Sequence, residues 1–219
     1  MSISLAAGLD AGLDALSLDL KPAQRQSLLD YLALLQKWNQ VYNLTAVRDP
    51  QAMLSHHLLD CLSVVAPLRV QLASLAQTGP TRLLDVGSGA GLPGLVLAIC
   101  LPDVEVDCVD TVAKKASFIQ QAALSLGLPN LRGLHARVES SGPAYQVVSA
   151  RAFSSLPDLV TGSDKALLPG GLWMAMKGKT PDEEIQALTP QVQVFHVEPL
   201  QVPGLDAQRC IVWMRRVSV

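Results

Sequence analysis

The stretch Leu83-Leu84-Asp85-Val86-Gly87-Ser88-Gly89-Ala90-Gly91-Leu92-Pro93-Gly94 most constrains what this chain can fold into. An apolar run ends in an acid, glycines follow at every second position, and an apolar helix-like segment comes next. A strand that enters a glycine loop and leaves it as a helix is the nucleotide-binding turn of an open α/β sheet. Glycine suits the loop because the chain bends sharply and its backbone must approach a ligand without an intervening Cβ.

Two ligands compete for that turn. Gly89-Ala90-Gly91-Leu92-Pro93-Gly94 satisfies the dinucleotide pattern G-x-G-x-x-G, a weak signal on its own. Started at Gly87, the pattern fails, because Leu92 stands where the third glycine belongs. Asp85 precedes Gly87, Gly89 and Gly91, and an acid there can anchor the loop and lie near a cationic ligand. S-adenosylmethionine carries a sulfonium and an ammonium, whereas the pyrophosphate of NAD would be repelled. The loop residues therefore favour S-adenosylmethionine. Asp110 ends the next strand candidate about 20 residues further on, where a carboxylate can accept from ribose hydroxyls of either ligand. Asp107, three residues earlier, is expected on a solvated strand face.

From Arg82 onward strand and helix periods alternate. Strands are expected at 82–87, 104–110, 131–136, 145–150, 171–177, 192–198 and 209–216, and helices at 92–101, 113–126, 154–168 and 181–190. Alternation of this kind implies a mostly parallel sheet covered on both faces. The connection from Pro199 to Gln208 is too short for a parallel crossover, so the last strand must run antiparallel. This predicts a Rossmann-like class I methyltransferase sheet of seven strands, six parallel and the last reversed. A dehydrogenase needs a second mononucleotide half and a substrate domain, and 219 residues leave no room for both.

Residues 1–79 read as a helical extension packed on a catalytic domain of residues 80–219. Pro22 opens a helix whose stripe is Leu28, Tyr31, Leu32, Leu35, Trp38 and Tyr42, for which core packing is expected. Asp49-Pro50 starts a second helix carrying Met53, Leu54, His57, Leu58 and Cys61. His56, His57 and Asp60 resemble a ligand cluster, but His57 falls on the apolar stripe, which suggests a core or interface role. The first twenty residues suit a short helix or a loose tail.

Composition excludes several classes. Hydrophobic residues make up 49% of the chain, enough for a sizeable core, yet no apolar run reaches the roughly 18–20 residues of a membrane span. No secretory signal is visible at the N-terminus, and a cytoplasmic monomer is expected. Cys61, Cys100, Cys108 and Cys210 form no C-x-x-C pair and read as buried thiols, with no metal site expected. The net charge is −2, but residues 111–219 carry eleven Lys or Arg against eight acids, so a basic face can exist on that half. After the fourth strand the chain reads Ser149-Ala150-Arg151-Ala152-Phe153 in place of the Asp/Asn-Pro-Pro-aromatic signature of exocyclic-amine methylation, and no Pro-Cys nucleophile is present. A ring nitrogen, an oxygen or a small molecule remains as acceptor.

Nine segments in order carry a resemblance that covers nearly the whole chain. They are Trp38-Asn39, Tyr42-Asn43-Leu44-Thr45, Asp49-Pro50, His57-Leu58-Leu59-Asp60, the loop Gly87 to Gly94, Arg137-Val138-Glu139, Ser149 to Phe153, Lys177-Gly178 and Leu200-Gln201-Val202-Pro203. With these the chain resembles the GidB/RsmG family, bacterial enzymes that form 7-methylguanosine in 16S ribosomal RNA of the small ribosomal subunit. Ala90 and Ala150 stand at positions where that family varies. The resemblance implies S-adenosyl-L-methionine as cofactor, with Gly87 and Leu92 in the loop, Val138 and Glu139 at the adenine end and Arg151 at the mouth. The loop reading adds Asp85, Gly89 and Gly91, and the ribose argument adds Asp110. Arg151, Lys114, Lys115, Lys177 and Arg209 are candidates for RNA phosphates, although Lys114-Lys115 also fits a solvated helix start. A small-molecule methyltransferase, an NAD-dependent oxidoreductase and a catalytically silent binding module stay open beside this.

Overall fold

A computed structural model of the chain describes residues 4–75 and 79–217. Residues 76–78, beside the expected domain boundary, lie outside the described residues, as do 1–3 at the start of the expected N-terminal helix or tail.

Among the described residues the N-terminal segment is helical from Leu5 onward. Ser4 caps helix α1 (Leu5–Ala15) by accepting the Ala7 amide, and α2 (Pro22–Tyr42) follows with Pro22 in its first turn. Asn43 ends α2 in the left-handed conformation, with φ at 49°. Asp49 caps α3 (Pro50–Met53), which continues as a π-helical turn over Leu54–Leu59 and then as α4 (Asp60–Leu62). Helix α5 (Val65–Ser74), not foreseen from the sequence, completes the segment.

The remainder alternates as expected: β1 (Thr81–Val86), α6 (Gly94–Cys100), β2 (Val104–Asp110), α7 (Ala113–Leu126), β3 (Leu131–His135), β4 (Tyr145–Arg151), α8 (Leu156–Ser163), β5 (Leu167–Lys177), α9 (Asp182–Gln186), β6 (Val192–Leu200) and β7 (Arg209–Arg216). Helices expected at 92–101, 154–168 and 181–190 are shorter than the apolar pattern suggested. Residues 91–93 belong to a turn, and a 3-10 turn over Asp164–Ala166 follows α8. The seven strands lie in the order β3-β2-β1-β4-β5-β7-β6, with β7 antiparallel to both neighbours and the others parallel. The order reverses between β1 and β4, and open α/β sheets bind ligands outside the carboxyl ends of strands at such a switch point.

Strand alternation divides the core into two clusters. Leu83, Val106, Val147, Met174, Ile211 and Trp213 point to one face, where they join the apolar sides of α6, α7 and the N-terminal helices. Leu84, Val109, Val148, Trp173, Val212 and Met214 point to the other, under α8. The N-terminal helices thus share one continuous cluster with the sheet, and α2 packs over α6 and α7 through Tyr31 and Trp38 against Phe118. Tyr42 departs from its expected core place: it sits at the frayed end of the stripe and is 40% exposed.

Asp107 also departs from expectation. It is buried, and register places it beside Arg132 on the edge strand. Its carboxylate accepts from Arg132 Nε and Nη2 at 2.6 and 2.7 Å, from Tyr145 Oη at 2.7 Å and from Arg82 Nη2 at 3.2 Å. Strand periodicity sees the alternation but not the partners that three other strands bring to one carboxylate. Asp107→Ala would strand the buried Tyr145 hydroxyl and leave two guanidiniums without their shared partner. It is expected to lower unfolding free energy by about 2–3 kcal/mol in urea denaturation. A loss below about 0.5 kcal/mol would return Asp107 to an ordinary surface position.

Candidate active site

Three backbone bends build the loop after β1. Gly87, Gly89 and Gly91 all have positive φ, at 67°, 58° and 85°. The loop is tied to the end of β2: Gly87 N–H and Ser88 N–H donate to Val109 O at 2.9 and 3.3 Å, and Gly89 N–H donates to Asp110 Oδ2 at 3.0 Å. The other Asp110 oxygen, Oδ1, accepts from Val112 N–H at 2.8 Å, while Lys115 Nζ lies 3.7 Å from Oδ2. In this structure Asp110 is therefore first a brace between loop and strand, with oxygen lone pairs left at the cavity surface. A Cβ built on Gly89 would meet nothing within 4 Å, and one on Gly87 would meet only the Phe153 ring, at 3.4 Å. The space that side chains would fill above the loop is open, as a backbone-hugging ligand requires.

Asp85 lies behind the loop rather than in front of it. Fully buried, it accepts from Gly94 N–H at 3.0 Å and from Ser149 Oγ at 2.9 Å, so one carboxylate joins β1, the start of α6 and β4. Gly94 must be glycine, since a Cβ there would collide with Cys108 Sγ and approach Asp85 Cβ to 2.9 Å. Burial pushes the Asp85 carboxyl up to about 6, against the pull of its hydrogen bonds. A raised folded-state value means that protonation of Asp85 favours the fold. That contribution is present below the ordinary carboxylate range and is lost as pH rises through about 6.

Two concavities meet above the loop. One, of about 590 Å³, is lined by Gly87, Gly89, Leu92, Arg151, Lys177 and Arg209 among others. The second, of about 370 Å³, is lined by Asp110, Lys115, Val138, Glu139 and Phe153 among others. Gly87 and Ala152 belong to both walls, so they form one cleft across the carboxyl ends of β1, β2 and β4. Of the cofactor candidates, Asp85 and Gly91 are in neither wall; both are buried.

The cations have partners that sequence reading could not supply. Arg151 Nη1 donates to Asp60 Oδ2 at 2.9 Å and to His56 O at 3.0 Å, and Arg209 Nε donates to Asp60 Oδ1 at 2.9 Å. The π-helical turn over Leu54–Leu59 sets up this cluster, because its wider winding places Asp60 and a helix carbonyl together at the cavity wall. Two guanidiniums on one carboxylate leave a net single positive charge at this end of the cleft. Lys177 is turned onto Glu184, with Nζ at 2.8 and 3.1 Å from its two oxygens, so its charge is compensated. Lys114 is exposed on the first turn of α7 and lines neither cavity.

Sequence reading placed His57 in the core and passed over Asp60 as a partner of the arginines. His57 is buried, with Nε2 2.8 Å from Thr45 Oγ1, and it also contributes to the cavity wall. Burial and the nearby Arg151 charge lower its imidazole to about 4, which keeps it neutral at physiological pH. The i, i+3 spacing of His57 and Asp60 was the available signal; what it lacked was the arginines, which arrive from β4 and β7. Among the described residues no group of three or more His, Cys, Asp or Glu is placed to hold a metal ion.

The model of one protein family, described as rRNA small subunit methyltransferase G, matches residues 24–212. The ribosomal RNA small subunit methyltransferase G of Paracidovorax citrulli is 62% identical over 97% of this chain and 90% of its own length. The protein of the same name from Acidovorax ebreus is 62% identical over 98% and 97%, and that from Methylibium petroleiphilum 58% over 97% and 95%. Among solved structures, the N-methyltransferase NodS of Bradyrhizobium japonicum, in complex with S-adenosyl-L-homocysteine, aligns with a TM-score of 0.58 at 14% identity, over 84% of this chain and all of that one. TrmN of Thermus thermophilus aligns with a TM-score of 0.55 at 20% identity, over 75% of this chain and 53% of that one. These two likenesses establish the Rossmann-like class I methyltransferase fold. The family match runs from α2 into β7 and so takes in helices of the N-terminal segment as well as the sheet, and the chain belongs to the GidB family of rRNA small subunit methyltransferases G.

Proposed function

We propose that this protein transfers the methyl group of S-adenosyl-L-methionine to N7 of a guanosine in 16S ribosomal RNA, acting as a cytoplasmic monomer on the small ribosomal subunit. The observation that carries the reading is the cleft over the glycine loop, which runs from Asp110 and Glu139 at one end to Arg151 and Arg209 at the other. S-adenosylmethionine supplies an electrophilic methyl group when bound. Asp110 and Glu139 offer carboxylate oxygens to ribose hydroxyls, Val138 an apolar wall to adenine, and the exposed backbone of Gly87 and Gly89 a close approach. The surplus positive charge of the Arg151–Asp60–Arg209 cluster suits the cofactor's carboxylate or an RNA phosphate.

N7 as acceptor fits the titratable groups on the wall. Guanine N7 has an in-plane lone pair and no proton, so the site needs no general base. His57 Nε2 is engaged with Thr45, and His56 Nδ1 lies 3.0 Å from Ser55 Oγ. Both oxygens of Asp60 are held by arginines. What the walls then have to do is hold the base in line with the methyl group, a proximity effect that can lower the barrier by about 7–11 kcal/mol. N7 lies on the deep major-groove edge of A-form RNA, which implies an unpaired or splayed guanosine. Mapping of 7-methylguanosine in 16S RNA from cells with and without this gene tests the proposal; an unchanged map would overturn it.

In Gly87→Val, a branched side chain would occupy the open space beside the loop and would have to adopt a φ of 67°. Calorimetry with S-adenosylhomocysteine is expected to show at least a tenfold loss of affinity in a folded variant, on the order of 1.4 kcal/mol or more. Undiminished affinity would remove the loop from the binding site, and NADH titrated into the native protein gives the dinucleotide alternative its own test.

Arg151→Lys keeps the charge but not the planar guanidinium, whose Nη1 donates to both Asp60 and the His56 carbonyl while its other N–H groups remain for a ligand. Turnover is expected to fall by about tenfold or more. If the cofactor carboxylate is its partner, cofactor affinity falls and the salt dependence of RNA binding is unchanged. If a phosphate is, cofactor affinity holds and the salt slope shrinks by about one unit. Normal affinity for both with normal turnover would make Arg151 purely structural.

The pH profile offers a further check. His57 is held down to about 4 and Asp85 up to about 6, so neither titrates at alkaline pH. With no proton to remove from N7, the single-turnover methyl-transfer rate should stay within about twofold between roughly pH 7 and 9. A steep limb in that window, accompanied by a solvent isotope effect, would show that proton transfer limits the step.

A further inference from the structure

We propose that Tyr31, on the N-terminal helix α2, is a positioning residue for the cofactor loop, acting through the carbonyl of Ala90. The proposal rests on the reading of the glycine loop as the S-adenosylmethionine site. Its starting point is a buried carbonyl. Gly94 opens α6, so its amide has no acceptor within the helix and donates to Asp85 Oδ2 at 3.0 Å. Ala90 lies in the turn before α6, so its carbonyl has no helical donor, and it sits in a buried place, where an unpaired acceptor is costly.

Tyr31 supplies the replacement. Its Oη donates to Ala90 O at 2.8 Å, from 59 residues away in the chain. The phenol is fully buried, and burial holds it above its ordinary pKa, so the hydroxyl remains a donor. Asp85 and Tyr31 therefore grip the same turn from opposite ends, one through the Gly94 amide and one through the Ala90 carbonyl. Between those two points lie Gly91, Leu92 and Pro93, and Leu92 forms part of the cavity wall. Tyr31 does not line the cleft, so its effect on the cofactor passes through the loop.

A second bond from the same helix provides a control. Gln24 Nε2 donates to Ile99 O at 2.7 Å, tying α2 to the far end of α6 rather than to the loop. Tyr31→Phe keeps the ring that packs on Phe118 and removes only the hydroxyl. In the full-length chain, Tyr31→Phe is expected to weaken S-adenosylhomocysteine binding by about five- to twentyfold and to raise KM for the cofactor in step. At saturating cofactor its kcat, and its KM for RNA, should stay within about twofold. Gln24→Ala is expected to lower the melting temperature while leaving cofactor affinity within about twofold. Equal cofactor affinity in native protein and Tyr31→Phe, or equal loss in both variants, overturns the proposal. Failure of the native protein itself to bind S-adenosylhomocysteine overturns instead the reading of the site.

A measurement on the native protein covers the case in which Tyr31→Phe does not fold. Coupling is reciprocal, so cofactor binding must strengthen the Tyr31–Ala90 link as much as the link strengthens binding. Hydrogen exchange should slow on addition of S-adenosylhomocysteine in the α2 segment 28–35 as well as in the loop, with no change in α1. Protection confined to the loop would sever the connection.

Discussion

The carboxylate of Asp85 is the constraint on which the rest of the site depends. A charged group with no ion-pair partner is held in the core by Gly94 N–H and Ser149 Oγ, and each bond fixes a different element. The first pins the start of α6, the second pins β4 beside β1 at the switch point. Burial makes this expensive, as the upward push on the carboxyl shows. The arrangement persists because the loop between β1 and α6 cannot reach its geometry without it. Glycine at 94 belongs to the same packing, since a Cβ there would collide with Cys108 Sγ and crowd the Asp85 side chain. The acid that the sequence offered as an anchor of the loop reaches it from behind, through the Gly94 amide.

Electrostatics at the other end of the cleft are organised around a second buried acid. Asp60 collects Arg151 from β4 and Arg209 from β7, and the π-helical turn before it lends the His56 carbonyl to Arg151. Removing one arginine from such a cluster exposes the others to an altered balance, so the three residues act as a unit rather than as separate charges. Lys177, beside them in the wall, is already matched by Glu184. The positive character of the mouth thus comes from a surplus within one cluster, not from the number of basic residues in the C-terminal half.

The N-terminal helices belong to the same physical unit as the sheet. Their apolar residues continue the cluster formed by α6, α7 and one sheet face, and their polar side chains finish bonds that the sheet domain leaves open. Tyr31 completes the loop carbonyl, and Gln24 completes the end of α6. Asn39 holds the segment after α2 by accepting Thr45 N–H at 2.9 Å, which places Thr45 against His57 in the cavity wall. A division of the chain near residue 79 describes its layout, while its stability and its site draw on both parts.

What the sequence determined by itself is the architecture. The glycine loop, the alternation of periods and the short final connection sufficed for the strand count, the parallel sheet and the reversed last strand, because those rules act over a dozen residues or fewer. Gly87, Gly89 and Asp110 were candidates on the same local rules, whereas Leu92, Val138, Glu139 and Arg151 were candidates through the family resemblance; all seven line the concavities above the loop. Tertiary structure alone decided what each charged group faces. Asp60 meets its arginines across 91 and 149 residues, and Tyr31 meets Ala90 across 59. Asp107 was read as solvated because its partners stand on other strands. Periodicity records which face a residue occupies, but a hydrogen bond needs a partner at about 3 Å, and only the folded chain sets that distance.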